Sequence, residues 1–297
     1  MGLDDLITEA RSAETRDLDL RSTEELVELM NQQDAAVPAA VASSAADIAA
    51  VIETVVDRLQ AGGRLVYVGA GSSGRLAAVD ASECESTFSA APGQVLALLA
   101  GADAPSPLEQ EAAEDDAEAG RRDVHSLGVA ATDAVIGISA SGRTPYVIGA
   151  MEAASAAGAA TACIVCVPDS ELGRLVEREV AVVVGPELLA GSTRLKAGTA
   201  QKLVLNMIST ISMVRLGKTF DNLMVDVVAT NEKLRARVRR IVMTATGAAQ
   251  PPVDEALAAA DGSAKVAIVM LLGGLDVDTA RSRLAAAGGN IRTALRP

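Results

Sequence analysis

The sequence predicts an α/β protein built on a parallel sheet, and two observations predict it. Five short apolar runs, RLVYV at 64–68, VLALLA at 95–100, AVIGI at 134–138, ACIVCV at 162–167 and VAVVV at 180–184, are separated by stretches of helical spacing. Runs that are apolar at every position belong to strands buried on both faces, which requires helices on each side of the sheet. The composition agrees: 297 residues that are 49% hydrophobic and 22% charged can bury a large core. Disordered and fibrous classes are thereby excluded.

Residues 1–20 are charged and show no clear period. Ser22-Thr23-Glu24-Glu25 then offers an N-cap with early acids, so a helix is expected from about 23 to 33. Over 35–61, Val37, Val41, Ile48, Val51, Ile52, Val55 and Leu59 fall close to helical spacing, and Gly62-Gly63 ends the stretch. After the fifth apolar run, GSTRLKAGTAQKLVLNMISTISMVRLG at 191–217 reads as a long core helix that Ser192 or Thr193 can cap and that ends near Gly217. GAAQPPVD, beginning at Gly247, carries a Pro pair that reads as a linker or sharp turn. Beyond it lie three short helical patterns, Val253–Ala260, Ala264–Leu271 and Val277–Ala287. The expected organisation is an N-terminal helical segment over 1–60 packed on the main domain, a sheet domain over 61–245 and a small helical domain over 246–297.

Two Phe, two Tyr and no Trp cannot build a stacking platform for nucleic-acid bases, and a net charge of -13 opposes phosphate backbones. Nucleic acid is not an expected partner. Three Cys, two of them in the CIVC of an apolar run, argue against a disulfide scaffold. CIVC itself reads as two small apolar residues in a buried strand, since no helix starts after Cys163 as a redox motif requires. The lone His125 has no cluster of metal ligands around it, so no metal is expected. MGLDDLITEA is acidic where a signal peptide is basic, and no run of about 18 apolar residues exists. A soluble, cytoplasmic protein without a membrane partner is expected.

Ligands of a parallel sheet bind outside the carboxyl ends of its strands. Two strand ends are unusual: Gly69-Ala70-Gly71-Ser72-Ser73-Gly74-Arg75 and Ser139-Ala140-Ser141-Gly142-Arg143-Thr144. Each follows a strand and opens a helix, so backbone N–H groups, hydroxyls and a helix dipole converge where an anion is favoured. Two such loops in one sheet point to a phosphate-bearing ligand. The first also matches G-x-G-x-x-G, the dinucleotide fingerprint. That motif wants an acid about 20 residues on; here the acid after the second strand is Asp103, about 30 positions downstream. The loop hydroxyls and the second loop are also unexplained by a nucleotide.

GAGSSGRLAAVDASEC at 69–84, SASGRTPYVIGA at 139–150, GSTRLKAGTAQKLVLNM at 191–207 and NLMVDVVATNEKL at 222–234 resemble the N-acetylmuramic acid 6-phosphate etherases. These belong to the SIS (sugar isomerase) superfamily and are related to the vertebrate glucokinase regulatory protein. The likeness covers nearly the whole chain. It implies a three-layer α/β sandwich with a five-stranded parallel sheet, a small C-terminal helical domain similar to ubiquitin-associated domains, a homodimer and no cofactor. It further implies removal of the D-lactyl ether from C3 of the 6-phosphorylated sugar, yielding N-acetylglucosamine 6-phosphate and D-lactate. In the ring-opened sugar the C1 aldehyde acidifies the C2 proton, so elimination across C2–C3 needs a base at C2 and an acid at the ether oxygen, and hydration reverses those roles.

The resemblance places the catalytic acid on Glu83 and a second catalytic carboxylate on Glu114, with Glu111 as the nearest register alternative. From the residues alone, Glu83 sits beside apolar positions and Cys84, where burial would raise its pKa, but a solvated helix position is the favoured reading, and Glu114 lies in an acidic run of the kind that usually faces solvent. The match also carries over Ser72, Ser73, Ser139, Ser141 and Thr144 as hydroxyls around phosphate or sugar, and Gly71, Gly74 and Gly142 for close backbone approach. N-capping is the alternative for the hydroxyl residues. Arg194, Lys196 and Lys202 are cations that would meet the phosphate or the lactyl carboxylate, or else form ordinary ion pairs. Glu85-Ser86, the 101–107 segment, Ser72 and Phe220-Asp221 depart from the family pattern. A sugar-phosphate isomerase and a non-catalytic phosphosugar sensor remain open as alternatives.

Overall fold

In the computed structural model, residues 7–227 and 232–296 are described; the MGLDDL start and positions 228–231 of the fourth motif lie outside them. The chain forms two compact units, one of residues 1–81 and 93–209, the other of 82–92 and 210–297.

The first unit begins with α1 (Thr23–Asp34), closed by a capping box: Ser22 Oγ accepts from the Glu25 N–H at 3.3 Å, and Glu25 Oε2 accepts from the Ser22 N–H at 2.7 Å. The continuous helical spacing over 35–61 is broken once, into α2 (Val37–Ser43) and α3 (Ala45–Gln60). At the break, Ser44 Oγ donates to the Ala181 carbonyl at 2.7 Å, a contact 137 residues away in sequence. Local periodicity carries no trace of such a contact.

The strands are β1 (Leu65–Gly69), β2 (Val95–Leu99), β3 (Ala134–Ile138), β4 (Ala160–Val165) and β5 (Arg178–Ala181), all parallel in the order β2-β1-β3-β4-β5. The expected α/β class and five-stranded parallel sheet are therefore present. β5 differs in extent from the apolar run at 180–184 because it is an edge strand: Arg178 is exposed and Glu179 half-buried, so its start is not apolar. On one face of the sheet Val66, Val68, Val135, Cys163 and Val165 cluster with Tyr146, Val147, Ala150 and Met151 of α7 (Pro145–Ala156). Strand alternation sends Tyr67 to the other face, where its hydroxyl donates to Asp80 of α4 (Gly71–Phe88) at 3.2 Å. Two one-turn pieces precede the helix that packs on α7: α5 (Pro107–Ala112) and a 3-10 turn over Ala113–Asp115, then α6 (Ala117–Leu127).

The long helix α8 (Lys196–Arg215) starts later than Ser192 or Thr193 would cap. Its N-terminus is closed instead by the fully buried Glu187, whose carboxylate accepts from the N–H groups of Lys196 at 3.0 Å and Ala197 at 2.9 Å.

In the second unit a short hairpin, β6 (Thr219–Phe220) and β7 (Leu223–Met224), turns through Asp221 at φ +53°, a left-handed conformation that Asp tolerates better than most residues. It is followed by α9 (Glu232–Thr246), α10 (Gln250–Ala259), α11 (Ala264–Gly273), α12 (Val277–Ala286) and α13 (Ile291–Ala294). Val238, Val242, Val253, Ala267, Ile268, Ala280 and Ile291 form its core. The Pro pair lies in the first turn of α10, where a missing N–H costs nothing. Among the described residues no single helix is long and apolar enough to cross a membrane.

Candidate active site

Strand order places a topological switch beside β1, whose two neighbours are β2 on one side and β3 on the other. A crevice opens at such a point. Gly69 pairs with Ile138, so the two Ser/Gly-rich loops leave the sheet side by side. One cavity of about 550 Å³ lies there, a size that suits a phosphorylated sugar. The first loop lines it with Gly71, Ser72, Ser73 and Arg75, the second with Ser139, Ser141 and Thr144. The segment before α8 adds Ser192, Thr193 and Arg194. Glu111 and Glu114 come from the α5 turn region and Glu9 from the N-terminal segment. Both α4 and α7 begin at this cavity, so their dipoles favour an anion within it.

Internal hydrogen bonds set the loop shapes. Ser139 Oγ accepts from the Gly142 N–H at 3.1 Å and lies 2.8 Å from Thr144 Oγ1. Thr144 makes no side-chain cap on α7, so its hydroxyl serves the loop and cavity. Gly142 holds φ +64°, and a Cβ there would stand 2.4 Å from the Ser170 Cβ. Arg75 Nη2 donates to Ser72 Oγ at 3.2 Å, and Ser73 Oγ donates to Gln201 Oε1 at 2.9 Å. Beneath them the buried Asp80 carboxylate accepts from Tyr67, from Asn206 Nδ2 at 2.6 Å and from Ser209 Oγ at 3.0 Å, pinning α4 between β1 and α8.

Two of the cavity's carboxylates, Glu9 and Glu114, are half-buried, and Glu114 lies directly over the first loop: a Cβ on Gly71, which holds φ +51°, would stand 2.5 Å from Glu114 Oε1. Burial lifts this carboxyl above its ordinary range, Glu111 and Asp115 push it the same way, and Arg75 opposes them. The acidic run is thus not uniformly solvated: Glu109, Glu111, Asp115 and Glu118 are exposed, whereas Glu114 turns inward.

The other candidates fall elsewhere. Glu83 is exposed and is not among the residues that line the cavity. Of the two readings that the residues alone allow for Glu83, the solvated one holds and the buried one does not, because Cys84 points inward and Glu83 outward from the same helix. Gly74 lies behind the first loop, where its N–H donates to Ala70 O at 3.0 Å in the tight strand-to-helix turn. Lys196 is buried and donates to Gln33 Oε1 at 2.9 Å, and Lys202 is exposed; neither lines the cavity. Cys163 and Cys166 are buried with thiols pushed up to about 12 by burial, which suits a strand rather than redox chemistry. Glu9 sits in a charged segment without period, and its one signal is that the family likeness begins at Thr8-Glu9; Arg75 carries another, being the basic residue that ends the first loop.

A model of the glucokinase regulatory protein N-terminal SIS domain matches residues 47–155. The N-acetylmuramic acid 6-phosphate etherase of Rubrobacter xylanophilus is 57% identical over 296 residues, covering 99% of this chain and 97% of the relative. That of Streptomyces avermitilis is 55% identical over 293 residues, covering 99% and 94%. The chain belongs to the N-acetylmuramic acid 6-phosphate etherase family. The etherase-family fold extends to more distant proteins: a phosphoheptose isomerase from Francisella tularensis superposes with a TM-score of 0.54 at 17% identity, over 65% of this chain and 100% of that one. At that identity the likeness concerns the fold alone.

Proposed function

We infer that this protein cleaves the D-lactyl ether of N-acetylmuramic acid 6-phosphate, as a carbon–oxygen lyase of amino-sugar recycling that releases N-acetylglucosamine 6-phosphate and D-lactate. The observation that carries the reading is the single cavity in which two hydroxyl-rich loops at helix N-termini face a half-buried carboxylate, Glu114. The loops suit the 6-phosphate, through Ser72, Ser73, Ser141 and Thr144 with Ser139 bracing the second loop; Arg194 suits the lactyl carboxylate. The raised affinity of Glu114 for a proton makes it the stronger base for C2. Elimination moves the C2 proton to that base and breaks the C3–O bond, giving an unsaturated aldehyde and lactate. Water then adds across the double bond, its hydroxyl to C3 and a proton to C2, and the chemistry uses no cofactor.

Glu83 is the proposed acid at the ether oxygen. Because it is exposed and is not among the residues that line its own chain's cavity, we assign it to the cavity of a second copy in a homodimer. Met207, Ile211 and Val214 support that assembly, since they leave an exposed apolar stripe along α8 at i, i+4 and i+7. The cytoplasm is the proposed compartment.

The deciding experiment incubates purified protein with N-acetylmuramic acid 6-phosphate and assays D-lactate; folded protein that releases none refutes the reading. For the shared site, Glu83→Ala and Glu114→Ala proteins, each inactive alone, are mixed and allowed to exchange subunits. Random pairing restores about a quarter of parental activity, and no recovery after verified exchange rules out a shared site.

A further inference from the structure

Gln201 lies on α8, is 1% exposed and does not line the cavity. Its Oε1 accepts from Ser73 Oγ at 2.9 Å, while its Nε2 is buried with no hydrogen-bond partner among the described residues. Buried amide N–H groups are almost always paired, whereas an amide oxygen tolerates isolation better. A half-turn of the side-chain amide exchanges the two ends with little change in shape. After that turn Nε2 donates to Ser73 Oγ, the serine proton is released toward the cavity, and the group left without a partner is the oxygen.

We propose that Gln201 is a positioning residue for phosphate capture, its amide turning over so that Ser73 donates inward when an anion occupies the cavity and back to the amide when the cavity is empty. The proposal rests on the reading that the first loop holds the 6-phosphate. A serine hydroxyl has one proton, and a phosphate oxygen is a charged acceptor that competes well for it. In the structure the Ser73 proton goes to Gln201 Oε1 and not to a carboxylate of the cavity. With an anion present, Nε2 fixes the serine from behind and leaves its proton only one direction. Gln201 thereby keeps Ser73 hydrogen-bonded in both states and spares it a free rotor in either.

The test is a double-mutant cycle on the full chain with Gln201→Met, Ser73→Ala and the double variant, reading kcat and KM for D-lactate release and, by calorimetry, Kd for inorganic phosphate. Gln201→Met is expected to raise KM and phosphate Kd about 5- to 10-fold with kcat within about twofold. In the Ser73→Ala background the same change is expected to add less than about twofold. Losses that multiply in the double variant, or a loss of kcat with KM and Kd unchanged, overturn the proposal. If Gln201→Met does not fold, Gln201→Glu replaces it: the carboxylate accepts from Ser73 without donating, so phosphate Kd rises more with Ser73 present than in the Ser73→Ala background. An equal rise in both backgrounds overturns the proposal. The calorimetric arm needs no turnover, so a protein that binds phosphate as described but releases no lactate refutes the reaction and not the role of Gln201.

Discussion

Gly71→Ala probes the contact on which the proposed site depends. Two costs fall on this one methyl group. The residue holds φ +51°, a conformation that costs an Ala about 1 kcal/mol more than a Gly. The new Cβ would also stand 2.5 Å from Glu114 Oε1, about 0.9 Å short of the 3.4 Å at which ordinary contact begins. Glu114 ends a flexible side chain, so the carboxylate gives way rather than the sheet. A base displaced by close to 1 Å loses about a hundredfold in rate. The expected outcome is a kcat lowered about a hundredfold, with a fall in stability of only about 1 kcal/mol in urea unfolding. Glu114→Asp, one methylene shorter, makes room for the methyl, so Gly71→Ala in that background is expected to cost less than about threefold in kcat. A Gly71→Ala enzyme that keeps its kcat within twofold, or a full hundredfold loss on top of Glu114→Asp, refutes the argument that Gly71 exists to seat Glu114.

Three further outcomes follow from the electrostatics. As the proposed base Glu114 must be ionised, and burial, Glu111 and Asp115 raise its pKa. The acidic limb of kcat/KM is therefore expected above the ordinary glutamate range, and Glu111→Gln should shift that limb to lower pH; an unmoved limb removes Glu114 as the titrating base. A carboxyl whose folded pKa is raised favours folding most below its unfolded pKa, and that contribution is lost as pH rises through the folded value. Glu114→Gln is accordingly expected to raise the melting temperature at pH 7, with the gain vanishing near pH 4, while turnover is lost. Asp133 has the opposite sign. Against its burial, the Arg64 side chain and the N–H groups of Ala130 and Arg64 hold its carboxyl below the usual range. Its contribution is present above the ordinary carboxylate pKa and fades on acidification through the lowered one. Asp133→Ala strands those two N–H groups and should cost about 3 kcal/mol in urea unfolding at pH 7, and a loss below 1 kcal/mol would contradict the role assigned to it.

Much of the first unit was legible because its signals are local. Ser22 and Glu25 stand three apart, so the capping box can be read directly, and both faces of the inner strands are buried, so β3 coincides with its apolar run. The two loops were legible for the same reason, since Ser and Gly at a strand end constrain the backbone in place. Missed features depend on distant partners. Ser44 breaks a helix for the sake of Ala181, Glu187 displaces Ser192 and Thr193 as the cap of α8, and Lys196 spends its amine on Gln33. None of those pairings leaves a mark in the spacing of either residue.

The sequence by itself determined the layers, the two phosphate-type loops and the family, because periodicity, glycine placement and long ordered motifs are properties of neighbouring residues. The family resemblance added Glu83 and Glu114 as expected catalytic carboxylates. Only the tertiary structure separated them. Within one acidic run, the turn over 113–115 decides which glutamate faces inward, and it brings Glu114 against Gly71. On α4 the helical rotation that buries Cys84 sends Glu83 to solvent. Whether a carboxylate is a base or a solvated charge depends on what surrounds it in space, and that surrounding is assembled from segments that sequence order keeps apart.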